Sequence, residues 1–235
     1  MGVCVFGRAA LFSLAVLFLA GCTSQPTLGG DAMEVSFSTA DGVKISAAYY
    51  EGNGKGVILV PMLGRAKETY SAFAQELNGK GHSVLAIDMR GHGKSSGGNY
   101  NDFSSEQWNL IVKDIEAAKS FLKKKNVKEF AVIGASIGAN LAIKYGASDS
   151  ETSKIVMLSP AFDYHGVKTR EAAKSYKGEL LVVSSKDDFQ SYTDSKELAD
   201  LARNGEFIGL ENAGHGTNML GKQGLNEKIL EFLGK

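Results

Sequence analysis

The chain has 235 residues, enough for one domain with a substantial buried core, and a composition of 43% hydrophobic and 22% charged residues excludes a disordered, collagen-like or repeat protein. Lys+Arg and Asp+Glu are equal at 26 each and interspersed, so no basic face argues for nucleic acid and no acidic block for a basic partner.

Residues 1–21 differ from everything after them. Arg8 is the only charged side chain there, and it precedes Ala9 to Ala20, an apolar run broken only by Ser13 and too short to cross a bilayer comfortably as a mature helix. This is the pattern of a secretory signal peptide. The run closes on Leu19-Ala20-Gly21-Cys22, which resembles the bacterial lipobox; the resemblance implies cleavage before Cys22 and a diacylglycerol on its thiol. An ordinary cleaved signal or a short retained anchor are the alternatives. The other cysteine, Cys4, lies in the leader, so the mature domain has no thiol pair to bridge in an oxidising compartment. Residues 23–32, TSQPTLGGDA, are polar and Gly/Pro-containing, as in a tether. The expected organisation is a signal peptide over 1–21, a lipid-anchored linker over 22–32 and one folded domain over 33–235.

Within that domain, short apolar runs alternate with longer amphipathic stretches, the pattern of a mostly parallel sheet covered by helices. Strands are expected at Glu34 to Ser38 and Lys44 to Tyr50, joined antiparallel through Asp41-Gly42. Gly56 to Pro61 and Ser83 to Asp88 are apolar runs flanking a helical stretch, Glu68 to Leu77, and read as a strand-helix-strand crossover. Trp108, Ile111, Val112, Ile115, Ala118 and Leu122 predict one long surface helix over Ser105 to Lys125. Strands follow at Glu129 to Ile133, Lys154 to Leu158, Glu179 to Ser184 and Glu206 to Leu210, with helices at Ile137 to Tyr145, Tyr192 to Ala202 and Asn226 to Leu233.

The sharpest local feature is Gly134-Ala135-Ser136-Ile137-Gly138 between a buried strand and a helix. A nucleophile on a strained strand-to-helix turn needs small neighbours, because side chains at Gly134 and Gly138 would strike the adjoining backbone. The helix behind Ser136 presents free N–H groups to an anion. A serine hydroxyl is a weak nucleophile at neutral pH, so a base and a group orienting it are required. The domain offers His82, His92, His165 and His215 as bases, and Ser185-Lys186-Asp187-Asp188 after a buried strand as a source of the acid.

Together with Asp88-Met89-Arg90-Gly91-His92-Gly93-Lys94-Ser95 and Gly214-His215-Gly216, these segments are similar to those of serine hydrolases of the α/β-hydrolase fold, over nearly the whole chain after the tether. The resemblance implies a mostly parallel central sheet of about eight strands with helices on both faces. The family's chain order of Ser, acid, His sets aside His82 and His92, which precede Ser136, and His165, which precedes the acid turn, and leaves His215. Its Gly-x-x-Asp pattern, with Ser185 where glycine is usual, implies Asp188 as the acid, Asp187 being the competitor. The oxyanion hole would be the Ile137 N–H and the N–H of Leu63, with Met62 as fallback. Here the chain departs from the family, carrying Pro61-Met62 where His-Gly is usual. One such donor is typically worth roughly 3 kcal/mol, so the departure bears on rate rather than on reaction type. Asp88, Arg90 and His92 read as a turn held by an ion pair and hydrogen bonds.

Many members insert a large helical cap between the sixth and seventh strands. Only Ser159 to Gly178 occupies that interval here, room for a loop and one brief helix around Thr169 to Ser175, so the cap is minimal and the site open and shallow. Phe162, Tyr164 and Tyr70 are candidates for its rim, or equally for packing, and Met62 and Arg65 stand beside the oxyanion loop. Arg65 would attract a substrate carboxylate or pair with a surface acid. The expected activity is hydrolysis of carboxylic esters of small or exposed acyl substrates through an acyl-enzyme on Ser136. Peptidase or thioesterase chemistry with the same parts, or a catalytically silent binding module, are the alternatives. No metal or other cofactor is implied: the glycine-rich stretches lack a Walker spacing and the histidines stand at no metal-ligand intervals. The expected partners are a small-molecule acyl substrate and, through lipid on Cys22, the bacterial cell envelope. The resemblance to bacterial lipoproteins implies, with non-acidic Thr23 after the cysteine, the outer membrane, periplasmic side, in a Gram-negative source.

Overall fold

Every second residue of the central strands faces one of two apolar layers, and this alternation organises the molecule. The structure is a computed structural model and describes residues 1–3 and 31–234. Residues 4–21 of the expected signal peptide, Cys22 and most of the linker thus lie outside the described residues. Among those described, no helix is long and apolar enough to cross a membrane.

Ten strands and seven α-helices alternate among the described residues: β1 (Met33–Ser38), β2 (Lys44–Tyr50), β3 (Lys55–Val60), α1 (Ser71–Gly79), β4 (Ser83–Ile87), α2 (Ser105–Leu110), α3 (Val112–Lys124), β5 (Glu129–Ala135), α4 (Ile137–Ser148), β6 (Thr152–Leu158), β7 (Asp163–Tyr164), β8 (Val167–Lys168), α5 (Arg170–Ser175), β9 (Glu179–Ser185), α6 (Phe189–Leu201), β10 (Gly205–Leu210) and α7 (Leu225–Gly234). Eight strands form one sheet in the order β1-β2-β4-β3-β5-β6-β9-β10. β2 runs antiparallel to both β1 and β4, while every other neighbouring pair is parallel. This is the α/β-hydrolase architecture. All parallel strands therefore end at one edge of the sheet, where loops that carry chemistry collect.

Ile58, Val60, Val132, Ile155, Met157 and Val182 face one layer with α2, α3, α4 and α6. Leu59, Ile133, Val156, Leu158 and Val183 face the other, with α1 and α7. Helices on both faces account for strands that are apolar on both sides rather than alternating with polar residues.

Two helical expectations need correction. The stretch read as one helix from Ser105 is two: Ile111 ends α2 and opens α3, with Ile111 N–H donating to Trp108 O at 3.2 Å and Asp114 N–H to Ile111 O at 2.9 Å. These tight one-turn bonds keep the apolar stripe continuous, so periodicity alone does not reveal the break. The helix expected from Glu68 is a 3-10 turn, Lys67–Tyr70, leading into α1. Tyr70 is not a rim residue: it is fully buried, with its hydroxyl donating to Val60 O at 3.1 Å.

Between β6 and β9 stand only the β7–β8 hairpin, which sequence periodicity did not suggest, and α5. The cap is minimal. Asn140 on α4 donates from its side-chain amide to Val167 O at 2.8 Å and accepts from Ala161 N–H at 3.1 Å, while His165 stacks on Trp108 at 4.8 Å. Those contacts fasten the short excursion onto α2 and α4.

Candidate active site

The turn after β5 places Ser136 at φ 54° and ψ −122°, a conformation that side-chain-bearing residues rarely adopt. Its neighbours explain how the strain is tolerated. A Cβ at Gly134 would lie 2.1 Å from Gly138 O, and one at Gly138 would lie 2.4 Å from Val60 O and 2.5 Å from Pro61 O. Helix α4 can thus begin directly against the end of β3 only because both positions lack a side chain. Ser136 N–H donates to Leu158 O at 2.8 Å, anchoring the turn to β6.

The turn after β9 brings Asp188 to His215, whose Nδ1 lies 2.6 Å from Asp188 Oδ2. Asp187 is engaged elsewhere. Its carboxylate accepts from Ser185 Oγ and, at 3.1 Å, from Gly214 N–H, and the Ser185 bond is the leading cause holding it below the usual aspartate range. Of the two competing acids, then, one orients the imidazole and the other ties down the loop before it.

That loop is held at three further points. Ala213 N–H donates to Ser185 Oγ at 2.8 Å, Gly216 N–H to the buried Ser159 Oγ at 2.9 Å, and Lys222 Nζ to Ala213 O at 2.9 Å. Gly216 also abuts the Met62 sulfur and Ala135, the residue before Ser136, which sets the histidine loop against the serine turn. Neither Ser136 Oγ nor His215 Nε2 makes a hydrogen bond among the described residues.

Pro61, Met62 and Leu63 follow β3 on the same edge, and Arg65 N–H closes a turn onto Met62 O at 3.1 Å. Leu63 is exposed. Met62 is buried, filling space between the loop after β3 and Gly216 rather than opening to solvent. Arg65 is exposed and forms no ion pair among the described residues. Half-buried Phe162 lies under the Arg170 guanidinium, 3.5 Å from its ring centre, and Arg170 pairs with Glu197 at 3.0 Å. Tyr164 is half-buried, with its hydroxyl 3.3 Å from Ser191 Oγ. Both aromatics are thereby held by neighbours of the minimal cap.

Sequence reasoning missed three residues here. Ser159, at φ 52°, and Asn140 carry no catalytic pattern and act through contacts distant in the chain. Phe189, beside Asp188, is 80% exposed, the most exposed aromatic side chain of the domain. Helical spacing held its signal: the buried stripe of α6 is Ser191, Asp194, Ser195, Leu198 and Ala199, and Phe189 falls off it.

The loop after β4 is a buried charge assembly. Asp88, fully buried, accepts from Lys67 Nζ at 2.7 Å and from the N–H groups of Lys67 at 2.8 Å and Lys94 at 2.9 Å. Arg90 bridges Asp41 at 2.9 Å and Asp114 at 2.7 Å. His92 is buried against Tyr100, with ring centres 4.1 Å apart, and burial lowers its pKa. These groups brace loops rather than face Ser136. An open hollow of about 510 Å³ lined by Ser150, Tyr176 and Asn204 lies at the opposite end of the sheet and holds no such pairing of base and acid. Among the described residues no group of three or more His, Cys, Asp or Glu is placed to hold a metal ion.

A family model described as serine aminopeptidase, S33, matches residues 54–212, which takes in Ser136 and Asp188 and stops short of His215. No curated protein matches the sequence. Among solved structures, an esterase of Pyrococcus furiosus superposes with a TM-score of 0.74 at 23% identity over 87% of this chain and 90% of that one. The esterase EaEST of Exiguobacterium antarcticum gives 0.73 at 15% identity, over 86% of this chain and 100% of its own. Est1E of Butyrivibrio proteoclasticus, solved with ferulic acid bound, gives 0.72 at 19% identity, over 86% and 98%. At these identities the likeness is one of fold.

Proposed function

The chain belongs to the S33 serine aminopeptidase family of α/β-hydrolases, and from that premise we propose that it hydrolyses carboxylic esters of small or exposed acyl substrates through an acyl-enzyme on Ser136. The observation that carries this reading is the 2.6 Å hydrogen bond that Asp188 accepts from His215 Nδ1, on the same sheet edge as the strained Ser136 turn.

In the proposed reaction Ser136 Oγ attacks the acyl carbonyl while His215 Nε2 takes its proton. Asp188 accepts from Nδ1–H, which fixes the tautomer that leaves Nε2 free as a base. Contact between hydroxyl and Nε2 is made as substrate seats the serine side chain, since such bonds tighten in the bound complex. Negative charge on the carbonyl oxygen meets the Ile137 N–H, at the first turn of α4, and the Leu63 N–H. The imidazolium returns the proton to the departing alcohol. Water, activated by the same imidazole, then releases the acid and restores Ser136.

The minimal cap supports a substrate whose acyl group is short or whose bulk remains in solvent. Exposed Leu63 and Phe189 supply apolar contact at the opening, and Arg65 offers an unpaired cation to a substrate carboxylate. Amide cleavage with the same parts is the second reading, favoured by the description of the matching family.

A fluorophosphonate probe, which phosphonylates an activated serine, tests the proposal: wild type labels and Ser136→Ala does not. Absence of labelling on folded wild type would leave a binding module instead. A panel of aryl esters, thioesters and aminoacyl anilides of graded length separates the two enzymatic readings. Ester hydrolysis is expected to lead, with a steep fall beyond short chains. We further propose that Cys22 carries the diacylglycerol anchor, in the outer membrane of a Gram-negative source; globomycin, which blocks lipoprotein signal processing, would then leave the leader attached.

A further inference from the structure

We propose that the end of the domain at which β1 begins rests on anionic phospholipid headgroups, so that the catalytic opening faces away from the membrane that holds the anchor. The proposal rests on lipidation at Cys22, and it adds an orientation and a second contact surface to it.

Topology supplies the first observation. β1 runs antiparallel to β2, and β2 antiparallel to β4, so β1 is parallel to the central strands. Met33, its first residue, therefore sits at the edge where those strands start, while Ser136, Asp188 and His215 sit where they end. A strand of six residues separates the two edges by about 20 Å. Residues 23–32 are all that stands between Cys22 and this entry point, ten residues that reach about 35 Å at full extension. That reach bounds how far the near edge can stand from the anchor, and the far edge stands about 20 Å beyond it.

Charge supplies the second. Helix α3 ends at this same edge in Lys123 and Lys124, followed by Lys125 and Lys128, and all four are exposed. Lys125 Nζ lies 5.5 Å from the ring centre of Tyr49, the residue paired with Met33, so the lysine cluster adjoins the point where the tether enters. Lys128 N–H donates to Gly54 O at 2.9 Å, placing it beside the β2–β3 turn, and exposed Lys80 follows α1 at the same end. Acids there are partly engaged: Glu151 by Lys119 and Lys123, Glu129 by Lys55 at 3.9 Å, with Glu51 exposed. Lys80, Lys124 and Lys128 form no ion pair among the described residues. Each lysine brought within a Debye length of an anionic surface favours contact by roughly fivefold.

The opposite edge is mixed in sign: exposed Asp163 and Asp187 stand with exposed Arg65 and Lys222 and with the Lys186–Glu211 ion pair at 2.5 Å, and among the described residues no comparable run of adjacent lysines faces solvent there. The consequence concerns substrate class. Acyl groups would arrive from the aqueous compartment or from a structure beyond it, and not from lipids of the anchoring leaflet.

The test uses the full lipidated chain in vesicles of phosphatidylglycerol and phosphatidylcholine containing a headgroup-nitroxide lipid. With Cys22 blocked by its lipid, a thiol-reactive fluorophore is placed at Lys124→Cys or at Phe189→Cys. Quenching at position 124 is expected to exceed that at 189 by at least threefold. Adding Lys80→Gln, Lys125→Gln and Lys128→Gln should lower quenching at 124 at least twofold, with turnover of a soluble short-chain ester unchanged. Equal quenching at both positions, stronger quenching at 189, no response to neutralising the lysines, or a chain that does not stay with the vesicles would each overturn the proposal. Fluorophosphonate labelling of Ser136 in the same vesicles reports separately on the hydrolase reading, so its failure is not confused with that of the orientation.

Discussion

Asp187 and Asp188 are adjacent and identical in chemistry, yet the fold gives them different partners. Asp188 Oδ2 meets the imidazole at 2.6 Å, whereas Asp187 braces Gly214 through its backbone N–H. Asp188→Asn is expected to lower kcat by about 10⁴-fold, because an amide selects the wrong imidazole tautomer. Asp187→Asn should lower it less than tenfold. Steady-state hydrolysis of an aryl ester by the two variants checks the pair, and similar losses in both would contradict the division of roles. Gly138 makes the companion point about backbone. A methyl group there would lie 2.4 Å from Val60 O, so Gly138→Ala is expected to destabilise the domain by about 1–3 kcal/mol in urea titration, as overpacking does elsewhere.

At the scale of elements, the loops after β3 and β4 are joined by one buried ion pair. Lys67 is 4% exposed and Asp88 fully buried, with Lys67 gripping the carboxylate through both Nζ and its backbone N–H. Lys67→Met would leave Asp88 without its cation and should cost about 3–5 kcal/mol of unfolding free energy. The double variant Lys67→Met, Asp88→Asn, lacking the uncompensated charge, should recover much of that loss in the same denaturation experiment. Helix α3 shows why such pairs escape sequence reading. Asp114 reads as one more polar position on a surface helix, yet it is fully buried against Arg90, 24 residues earlier. Periodicity reports which face of a helix is apolar, and it is silent on which charged residue a distant loop will cover.

For the molecule as a whole, acid sensitivity follows from two buried histidines. His82 and His92 both have pKa values lowered from an ordinary 6.5, desolvation being the leading cause in each. A base with a depressed folded pKa binds more protons when unfolded. Stability therefore falls as pH drops through about 6.5 and keeps falling until the folded pKa is reached. Unfolding free energies measured between pH 7.5 and 5 should show this decline, and His92→Phe should flatten it. A slope unchanged by that substitution would assign the sensitivity elsewhere.

The alternation of strands and helices, the antiparallel opening, the brevity of the cap and the glycines around Ser136 were all legible in the residues, because each is a short-range demand. A buried strand must be apolar, and a tight turn must lack side chains wherever it occurs. The partners of Asp187, the burial of Tyr70 and Met62, the break at Ile111 and the bracing roles of Ser159 and Asn140 were not legible. Each depends on which segments meet across the sheet edge, and two segments far apart in the chain exchange no information until the core closes and brings them into contact.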